Sequence, residues 1–376
     1  MATSGTVLDD MGAYVLPGRV PDPRAAVGQA RAAEHLGLGA VWLSERWGTK
    51  DLGVLVGAIG QATERVRIGS GITHFGVRHP LTLASTAMTA QALTGGRFVL
   101  GVGRSVAATW KAVGLPPVTN AVLTDTADIV RRLCRGEKVS YEGPAGSFPK
   151  MRLGDLPDAP PPPIVLAAIG PRSLELAGRH FDGVLLHPFL TPEAVGRSAE
   201  LVRKAAADAG RDPARVRVHA TVVSAPDLTA EEEGAVVAAR ALTYFQIPGF
   251  GENLAAANGW DPAPLAILRA HPMFTGIRGA ADHHFTRHQL VDVAQELIPR
   301  EWIESSAAVG TAGACARQLQ AYLAAGADEI ALHGATPDLL GPMLQHVVAR
   351  AGGPREQDRL SGRARAAGSK AVRRPR

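Results

Sequence analysis

The chain has 376 residues, of which 46% are hydrophobic, enough to fill the core of one large α/β barrel or of two ordinary domains. The formal net charge at pH 7 is +5, but residues 350–376 carry nine Lys/Arg and two Asp/Glu, a balance of +7, so the preceding 349 residues sum to −2. This distribution argues against a nucleic-acid-binding body. Because residues 351–376 contain almost no large apolar side chains, we predict a disordered basic tail there.

The two cysteines, Cys134 and Cys315, have neither the spacing of a disulfide framework nor that of a thiolate metal site. No apolar run reaches the roughly 18–20 residues that a membrane helix needs, and the N-terminal stretch lacks a basic segment followed by an apolar core. We therefore expect a cytoplasmic protein with no membrane partner, no nucleic-acid partner and no metal site.

Short runs of β-forming residues alternate with helix-patterned segments along the chain. The predicted strands are Ala13–Leu16, Ala40–Ser44, Val66–Ile72, Phe98–Val102, Ile164–Ala168, Val184–His187, Val216–Val223 and Glu329–His333. Eight strand-helix units are the number in a (β/α)8 TIM barrel. We predict the α/β class, with a single barrel domain over residues 1–350.

Several of the predicted helices are followed closely by a glycine, which can adopt the left-handed conformation that ends a helix. These helices are Pro23–Leu36, Thr82–Leu93, Thr124–Cys134 and Pro192–Ala209, and the glycines are Gly37, Gly95, Gly136 and Gly210.

Two connections are longer than ordinary barrel loops. Residues 137–163 contain the run PDAPPPP and few core residues, so we predict an extended surface loop there. Residues 224–310 mix helix-patterned segments with Gly, Asn and Pro turns, which predicts a helical insertion between strands 7 and 8. An insertion at the C-terminal end of a barrel would act as a lid or a substrate wall.

Polar residues at strand ends are the first functional candidates, because TIM-barrel active sites lie at the C-terminal ends of the strands. Glu45 and Arg46 follow the second predicted strand, and His74 follows the third. His187 and His333 end the sixth and eighth strands, so their imidazoles could reach one pocket. The competing interpretation is that a histidine at a strand end is a hydrogen-bonded packing residue.

The segment from Ile164 to Gly183 passes from an apolar strand through a Gly-Pro turn directly into a helix. The first amides of a helix lack intrahelical partners, and the helix dipole favours an anion beside them. The turn at Gly170-Pro171 is therefore a candidate cradle for a phosphate or a carboxylate. The competing interpretation is that Gly and Pro serve only the geometry of the turn.

Five segments together resemble the bacterial luciferase-like superfamily, and more closely its F420-dependent oxidoreductase branch. The segments are GLGAVWLSE, RVRIGSGIT, RHPLTLASTAMTAQALTGGRFVLGVGRS, IVLAAIGPRSLELAGRHFDGVLL and VGTAGACARQLQAYLAAGADEIAL, and the resemblance extends from residue 12 to about residue 348. It implies hydride transfer between coenzyme F420 and a small organic substrate, and a homodimer. The alternative that it implies is an FMN-dependent monooxygenase.

The resemblance also implies positions for the cofactor. The ring would lie against the third strand beside a non-prolyl cis peptide bond matching Gly71-Ile72, and Glu45 would contact the ring or the ribityl chain. The implied cofactor-binding residues are Glu45, Gly71, Ile72, Thr73, Gly103, Arg104, Ala168, Ile169, Gly170, Pro171 and Arg172.

For catalysis we predict that His187 or His333, and after them His74, donates a proton. Arg46 either orients an anionic or carbonyl-bearing substrate or is a solvated arginine at the rim, paired with Glu45. Glucose-6-phosphate dehydrogenases of the branch carry a catalytic histidine where this chain has Arg46, and a glutamate where it has residues 104–106. That substrate is therefore disfavoured, and a catalytically silent cofactor-binding barrel stays an alternative.

Two further patterns in the sequence are weaker. Gly101-Val102-Gly103 resembles the start of a dinucleotide fingerprint, but Val106 stands where its third glycine belongs. His284 and His288 are four residues apart, and on one helix face they could hold a metal. No acidic residue completes a motif, which favours instead a lid helix capped by Asp282.

Overall fold

The structure is a computed structural model. It describes residues 7–18, 20–45, 50–104, 110–111, 114–277 and 279–351. The predicted basic tail lies outside the described residues from residue 352 onward.

Eight parallel strands form a closed barrel. They are β1 Met11–Tyr14, β2 Ala40–Leu43, β3 Arg67–Ser70, β4 Phe98–Gly103, β5 Ile164–Ala168, β6 Gly183–Leu186, β7 Arg217–Pro226 and β8 Glu329–Gly334. Each strand pairs with the next along the chain, and β8 pairs with β1. The predicted (β/α)8 TIM barrel is confirmed, and each predicted strand is present with ends displaced by three residues or fewer.

One helix follows each barrel strand and packs outside the barrel. The helices are α1 Ala25–His35, α2 Leu52–Ala62, α3 Pro80–Leu93, α4 Asn120–Cys134, α5 Pro171–His180, α6 Pro192–Asp208, α7 Ala312–Ala325 and α8 Gly341–Ala351. Asp51, Thr119, Thr191 and Thr311 cap four of them by accepting hydrogen bonds from first-turn amides. The four glycines predicted to end helices all have positive φ, from 61° at Gly95 to 84° at Gly37.

The barrel interior is filled by side chains, so function is confined to its ends. Tyr14, Trp42, Val165 and Leu185 pack together inside it. At the end where the strands begin, the buried Glu329 accepts hydrogen bonds from Trp42 at 3.1 Å and from Arg67 at 2.5 Å. Burial alone would raise the pKa of Glu329, but His219, Arg67 and Trp42 together lower it to about 2. The interior of the barrel at this end is therefore occupied by the Glu329 carboxylate, whose charge is compensated by its neighbours.

The predicted loop over residues 137–163 is partly wrong. Its first half is an antiparallel hairpin of strands Val139–Gly143 and Gly146–Met151. Tyr141 donates a hydrogen bond to Asp125 at 2.5 Å, and Phe148 packs edge-on against His79. Tyr141 and Phe148 thus pack one face of the hairpin against the core, whereas the proline run that suggested a loop lies after the hairpin.

The segment between β7 and α7 contains helices, although its role as a lid stays a prediction. They are Ala230–Glu233, a π-helical stretch Gly234–Ala238, Ala239–Phe245, Phe250–Asn258, Ala263–Ala270, Arg287–Leu297 and Arg300–Ser306. A short strand, Ala308–Gly310, then pairs with the end of β7. Within the described ranges, no helix has the length and apolarity needed to span a membrane.

The predicted lid helix through His284 and His288 is also wrong. The helix begins at Arg287, and Thr286 caps it by exchanging hydrogen bonds with Gln289. His284 precedes this helix and therefore does not share a helix face with His288. Across the described part of the chain, no group of three or more His, Cys, Asp or Glu side chains is arranged to hold a metal.

Replacing Gly101 by alanine should destabilise the barrel strongly. A Cβ at Gly101 would lie 1.9 Å from the Ser70 carbonyl oxygen, and Ser70 Oγ already bonds both the Gly101 amide and its carbonyl at 2.8 Å. We expect Gly101→Ala to lower the free energy of unfolding by about 3 kcal/mol. In Gly28→Ala the new Cβ meets nothing within 4 Å, so this helical control should gain about 0.5–1 kcal/mol. Urea denaturation measures both, and equal stabilities would contradict the expected backbone clash.

Candidate functional site

The third barrel strand is interrupted where the predicted cofactor ring would lie. β3 ends at Ser70, the Gly71-Ile72 peptide bond is cis, and pairing with β4 resumes at Thr73 and His74. The cis bond stands where the family resemblance implied it. The predicted continuous strand through Ile72 is wrong, because Gly71 and Ile72 form the interruption.

Two glycines allow close packing around this interruption. A Cβ on Gly71 would lie 2.4 Å from the Tyr14 hydroxyl, and a Cβ on Gly103 would lie 2.2 Å from Ile72 Cδ1. The buried Tyr14 phenol is hydrogen-bonded to Thr221, and burial raises its pKa. Tyr14 therefore crosses the barrel beneath Gly71 and forms a neutral floor for the open end.

Glu45 is a buried carboxylate held by neighbouring protein groups. It accepts hydrogen bonds from Thr73 Oγ1 at 2.5 Å and from the His74 amide at 3.4 Å, and it forms an ion pair with Arg78. Arg78 also binds Asp51 at 3.1 Å. The structure thus gives Glu45 a positioning role for residues 73–74, and its contact with the cofactor stays a prediction.

The sequence did not indicate that Arg78 is the partner of Glu45, since 33 residues separate them. The adjacent His79 caps α3 by accepting a hydrogen bond from the Leu81 amide at 3.2 Å. This cap gives His79 a structural role. Arg46 lies outside the described residues, so its predicted role in orienting the substrate stays a prediction.

The predicted anion cradle lies at the start of α5. The amides of Ser173 and Leu174 bond the Gly170 carbonyl at 3.0 and 3.1 Å, whereas those of Gly170 and Arg172 find no acceptor among the described residues. A Cβ built on Gly170 meets nothing within 4 Å, so the space above the turn is open. Ile169 is half-buried, while the Pro171 and Arg172 side chains are exposed.

Arg104 places a cation beside this cradle. Its guanidinium donates to the Asn120 side chain and to Ser173 Oγ at 3.4 Å, and burial lowers its pKa. Among the described residues no carboxylate pairs with Arg104 within 4.0 Å. Helix amides and an uncompensated guanidinium therefore converge on one place, which is an arrangement suited to a phosphate.

The three candidate histidines lie in different surroundings. The His187 ring approaches the Pro188 carbonyl at 2.8 Å and lies edge-on to Tyr244 and Phe250, with centroids 4.5 and 4.8 Å away. His333 is buried against Tyr14, with ring centroids 4.5 Å apart. His74 lies edge-on to Trp110, on the other side of the open end beside Glu45.

Burial keeps two of these imidazoles neutral. It lowers the pKa of His187 to about 4, against the raising effect of the Pro188 carbonyl, and it lowers the pKa of His74 to about 4 although the nearby Glu45 raises it. At pH 7 fewer than about one molecule in a hundred would carry an imidazolium at either position. A role as proton donor for His187 therefore requires a bound group that stabilises its charged form, and the assignment stays a prediction.

The luciferase-like monooxygenase family model matches residues 3–329 of the chain. The chain therefore belongs to the luciferase-like monooxygenase family, an identity that the interrupted third strand and the phosphate-type cradle had indicated. It is an oxidoreductase of that family.

Similar proteins include reductases and dehydrogenases. A 5,10-methylenetetrahydromethanopterin reductase of Methanolobus tindarius is 30% identical over 249 residues, which cover 64% of this chain and 72% of the reductase. An F420-dependent hydroxymycolic acid dehydrogenase of Mycobacterium tuberculosis is 32% identical over 170 residues, or 42% of this chain and 47% of the dehydrogenase. The solved coenzyme F420-dependent tetrahydromethanopterin reductase of Methanopyrus kandleri shares the fold, with a TM-score of 0.72, 19% identity and coverage of 91% and 99%.

Removing Arg78 should destabilise the protein, because it leaves the buried Glu45 without its main counter-charge. We expect Arg78→Met to lower the free energy of unfolding by about 3–5 kcal/mol. The control is Arg24→Met, which removes an ion pair between an exposed arginine and Asp22 and should change stability by about 1 kcal/mol or less. Guanidinium denaturation compares the two variants, and a similar loss in both would refute the positioning role of Glu45.

The free energy of unfolding should decrease as the pH is lowered from about 6.5 to 4. The folded-state pKa values of His187 and His74 are about 4, below the unfolded value near 6.5, so the unfolded chain binds more protons in this window. Each histidine should cost about 1.4 kcal/mol between pH 8 and pH 5.5. Urea denaturation at several pH values measures the slope, and His187→Asn should reduce it. An unchanged slope would show that His187 titrates normally in the folded protein.

Proposed function

We propose that this protein is an F420-dependent oxidoreductase that transfers a hydride between coenzyme F420 and a small organic substrate. The observation that carries the proposal is the convergence of the Arg104 guanidinium with the free amides of Gly170 and Arg172. The F420-dependent relatives support the choice of cofactor. The broader assignment, an oxidoreductase of the luciferase-like family, does not depend on the choice of cofactor.

The residues at the open end fit a cofactor with a flat ring and a phosphate. A Cβ at Gly170 would enter open space, and a phosphate there would accept from two amides and one guanidinium. Ile72 and Gly103 pack together at the strand interruption, and the half-buried Ile72 would support one face of the ring. When bound, F420 would supply the hydride chemistry.

The chain's own groups would bind, orient and shield the reactants. Tyr14 would keep the floor closed and neutral, while Glu45 and Arg78 would hold the backbone at Thr73 and His74 in register with the ring. The helices between β7 and α7 would exclude water from the opposite side. His187 or His333 would then exchange a proton with the substrate once a bound charge has raised its basicity.

An FMN-dependent monooxygenase is the second candidate, and the family's own description favours it. FMN also carries a ribityl phosphate, so the cradle alone does not distinguish the two cofactors. A silent cofactor-binding barrel is the third candidate. The homodimer and the cytoplasmic location rest on the resemblance and on cysteine usage, and we retain them as proposals.

Equilibrium binding of F420 and of FMN to the purified protein tests this proposal. We expect F420 to bind at least tenfold more tightly than FMN. Arg104→Gln should weaken F420 binding by about 10–100-fold, because it removes a charge-assisted contact to the phosphate. Arg179→Gln is the matched control at the exposed C-terminal end of α5 and should change affinity less than twofold.

Tighter binding of FMN would move the assignment to a monooxygenase, and oxygen consumption with reduced FMN would then be measured. Binding of neither cofactor would contradict the cradle. Tight F420 binding with no change in its absorbance for any tested substrate pair would support the silent barrel.

A further inference from the structure

One buried cation near the open end of the barrel has no charged partner. Arg240, on the helix Ala239–Phe245, is only 7% exposed. Its Nη1 atom reaches the Tyr244 hydroxyl at 3.5 Å, and its Nε atom has no hydrogen-bond partner in the part of the chain that the structure describes. No carboxylate among the described residues lies within ion-pairing distance of it.

An unpaired buried guanidinium is costly, and proteins seldom retain one without compensation. Two other arginines of the same segment are paired: Arg269 binds Glu252, and Arg300 binds Glu233 and Glu304. Arg240 differs from both, and its missing counter-charge is an observation that points to a ligand.

The surroundings of Arg240 show which way it faces. Its Nη1 atom reaches the Tyr244 hydroxyl, and the Tyr244 ring centroid lies 4.5 Å from that of His187, which follows β6, so the guanidinium lies near the C-terminal end of that strand. The preceding π-helical stretch packs on β8, since Val236 is the nearest side chain to a Cβ built on Gly334. π-helical turns often occur at functional sites.

The wall beside Arg240 is aromatic. Tyr244 and Phe250 have nearly parallel rings with centroids 6.0 Å apart, and both meet the His187 ring edge-on. All three are half-buried. Because His187 is neutral here, the guanidinium supplies the charge of this corner and the rings supply its apolar surface.

We propose that Arg240 is a substrate-binding residue that pairs with the carboxylate of an organic acid, whose apolar or planar body lies against Tyr244, Phe250 and His187. A carboxylate there would accept a hydrogen bond from the Nε atom, which has no partner among the described residues, and would supply the missing counter-charge. The site lies on a different element from Arg104 and the α5 cradle, which are assigned to the cofactor phosphate. The role of this site in binding the substrate rests on the proposed function, whereas the binding of an organic acid does not.

Calorimetric titration of the cofactor-free protein with benzoate tests the proposal, and benzamide serves as the neutral probe of the same shape. We expect benzoate to bind at least tenfold more tightly than benzamide. Arg240→Met should abolish this preference, Arg240→Lys should retain part of it, and Arg300→Met, which removes a paired arginine of the same segment, should leave it unchanged.

Thermal denaturation supplies a second readout. A ligand-binding arginine without a partner should make Arg240→Met at least as stable as the parent protein, because the variant no longer buries an uncompensated charge. A purely structural arginine would give a destabilised variant. Equal binding of benzoate and benzamide, or the same benzoate preference in Arg240→Met, would overturn the proposal.

F420 affinity separates this inference from the proposed function. It should change less than threefold in Arg240→Met if the arginine binds the substrate. A large loss would assign Arg240 to a carboxylate of the cofactor instead, which overturns the substrate role. Absent F420 binding combined with selective benzoate binding would reject the proposed cofactor and leave the acid site standing.

Discussion

The open end of the barrel depends on the buried ion pair between Glu45 and Arg78. A carboxylate removed from water is tolerated only when charge and hydrogen bonds compensate it, and here Arg78, Thr73 and the His74 amide do so. The pair ties the residue after β2 to the residues after the interruption in β3. Gly71 can then lie against Tyr14 and Ile72 against Gly103, which sets the surface on which a flat ring could lie.

Two arginines in different surroundings lie near this surface. Arg104 approaches the start of α5, where helix amides reinforce it, and Arg240 comes from the segment after β7, where aromatic rings surround it. The first arrangement suits a phosphate, and the second suits an acid with an apolar body. If Arg104 binds the cofactor phosphate and Arg240 binds the carboxylate of the substrate, the two molecules would be oriented independently and would not compete for one cation.

Much of the fold could be predicted because each barrel strand is a short buried run bounded by turn residues, and each is followed by an amphipathic segment. Glycines such as Gly37 and Gly136 marked helix ends correctly because only glycine readily adopts the left-handed conformation needed there. The hairpin at 139–151 was missed because its alternation is short and a proline run follows it. His284 was wrongly placed on a helix because Thr286 offers a better cap than Asp282.

The site was less predictable than the fold. Local sequence indicated the turn before α5, since a strand, a Gly-Pro turn and a helix are adjacent in the chain, and anion binding there stays a prediction. Local sequence did not indicate that Arg78 would neutralise Glu45, nor that Arg240 would be buried without a charged partner, because both facts depend on residues far apart in sequence. The neutral state of His187 also follows from packing against Tyr244 and Phe250, which lie more than fifty residues further along the chain.

A crystal structure of the protein with F420 bound would test the proposed cofactor site most directly. We expect the cofactor phosphate within about 3 Å of the Gly170 and Arg172 amides and of the Arg104 guanidinium, with the ring against Ile72 and Gly103. A phosphate bound elsewhere, or a ring that does not touch the interrupted third strand, would contradict the proposed cofactor site.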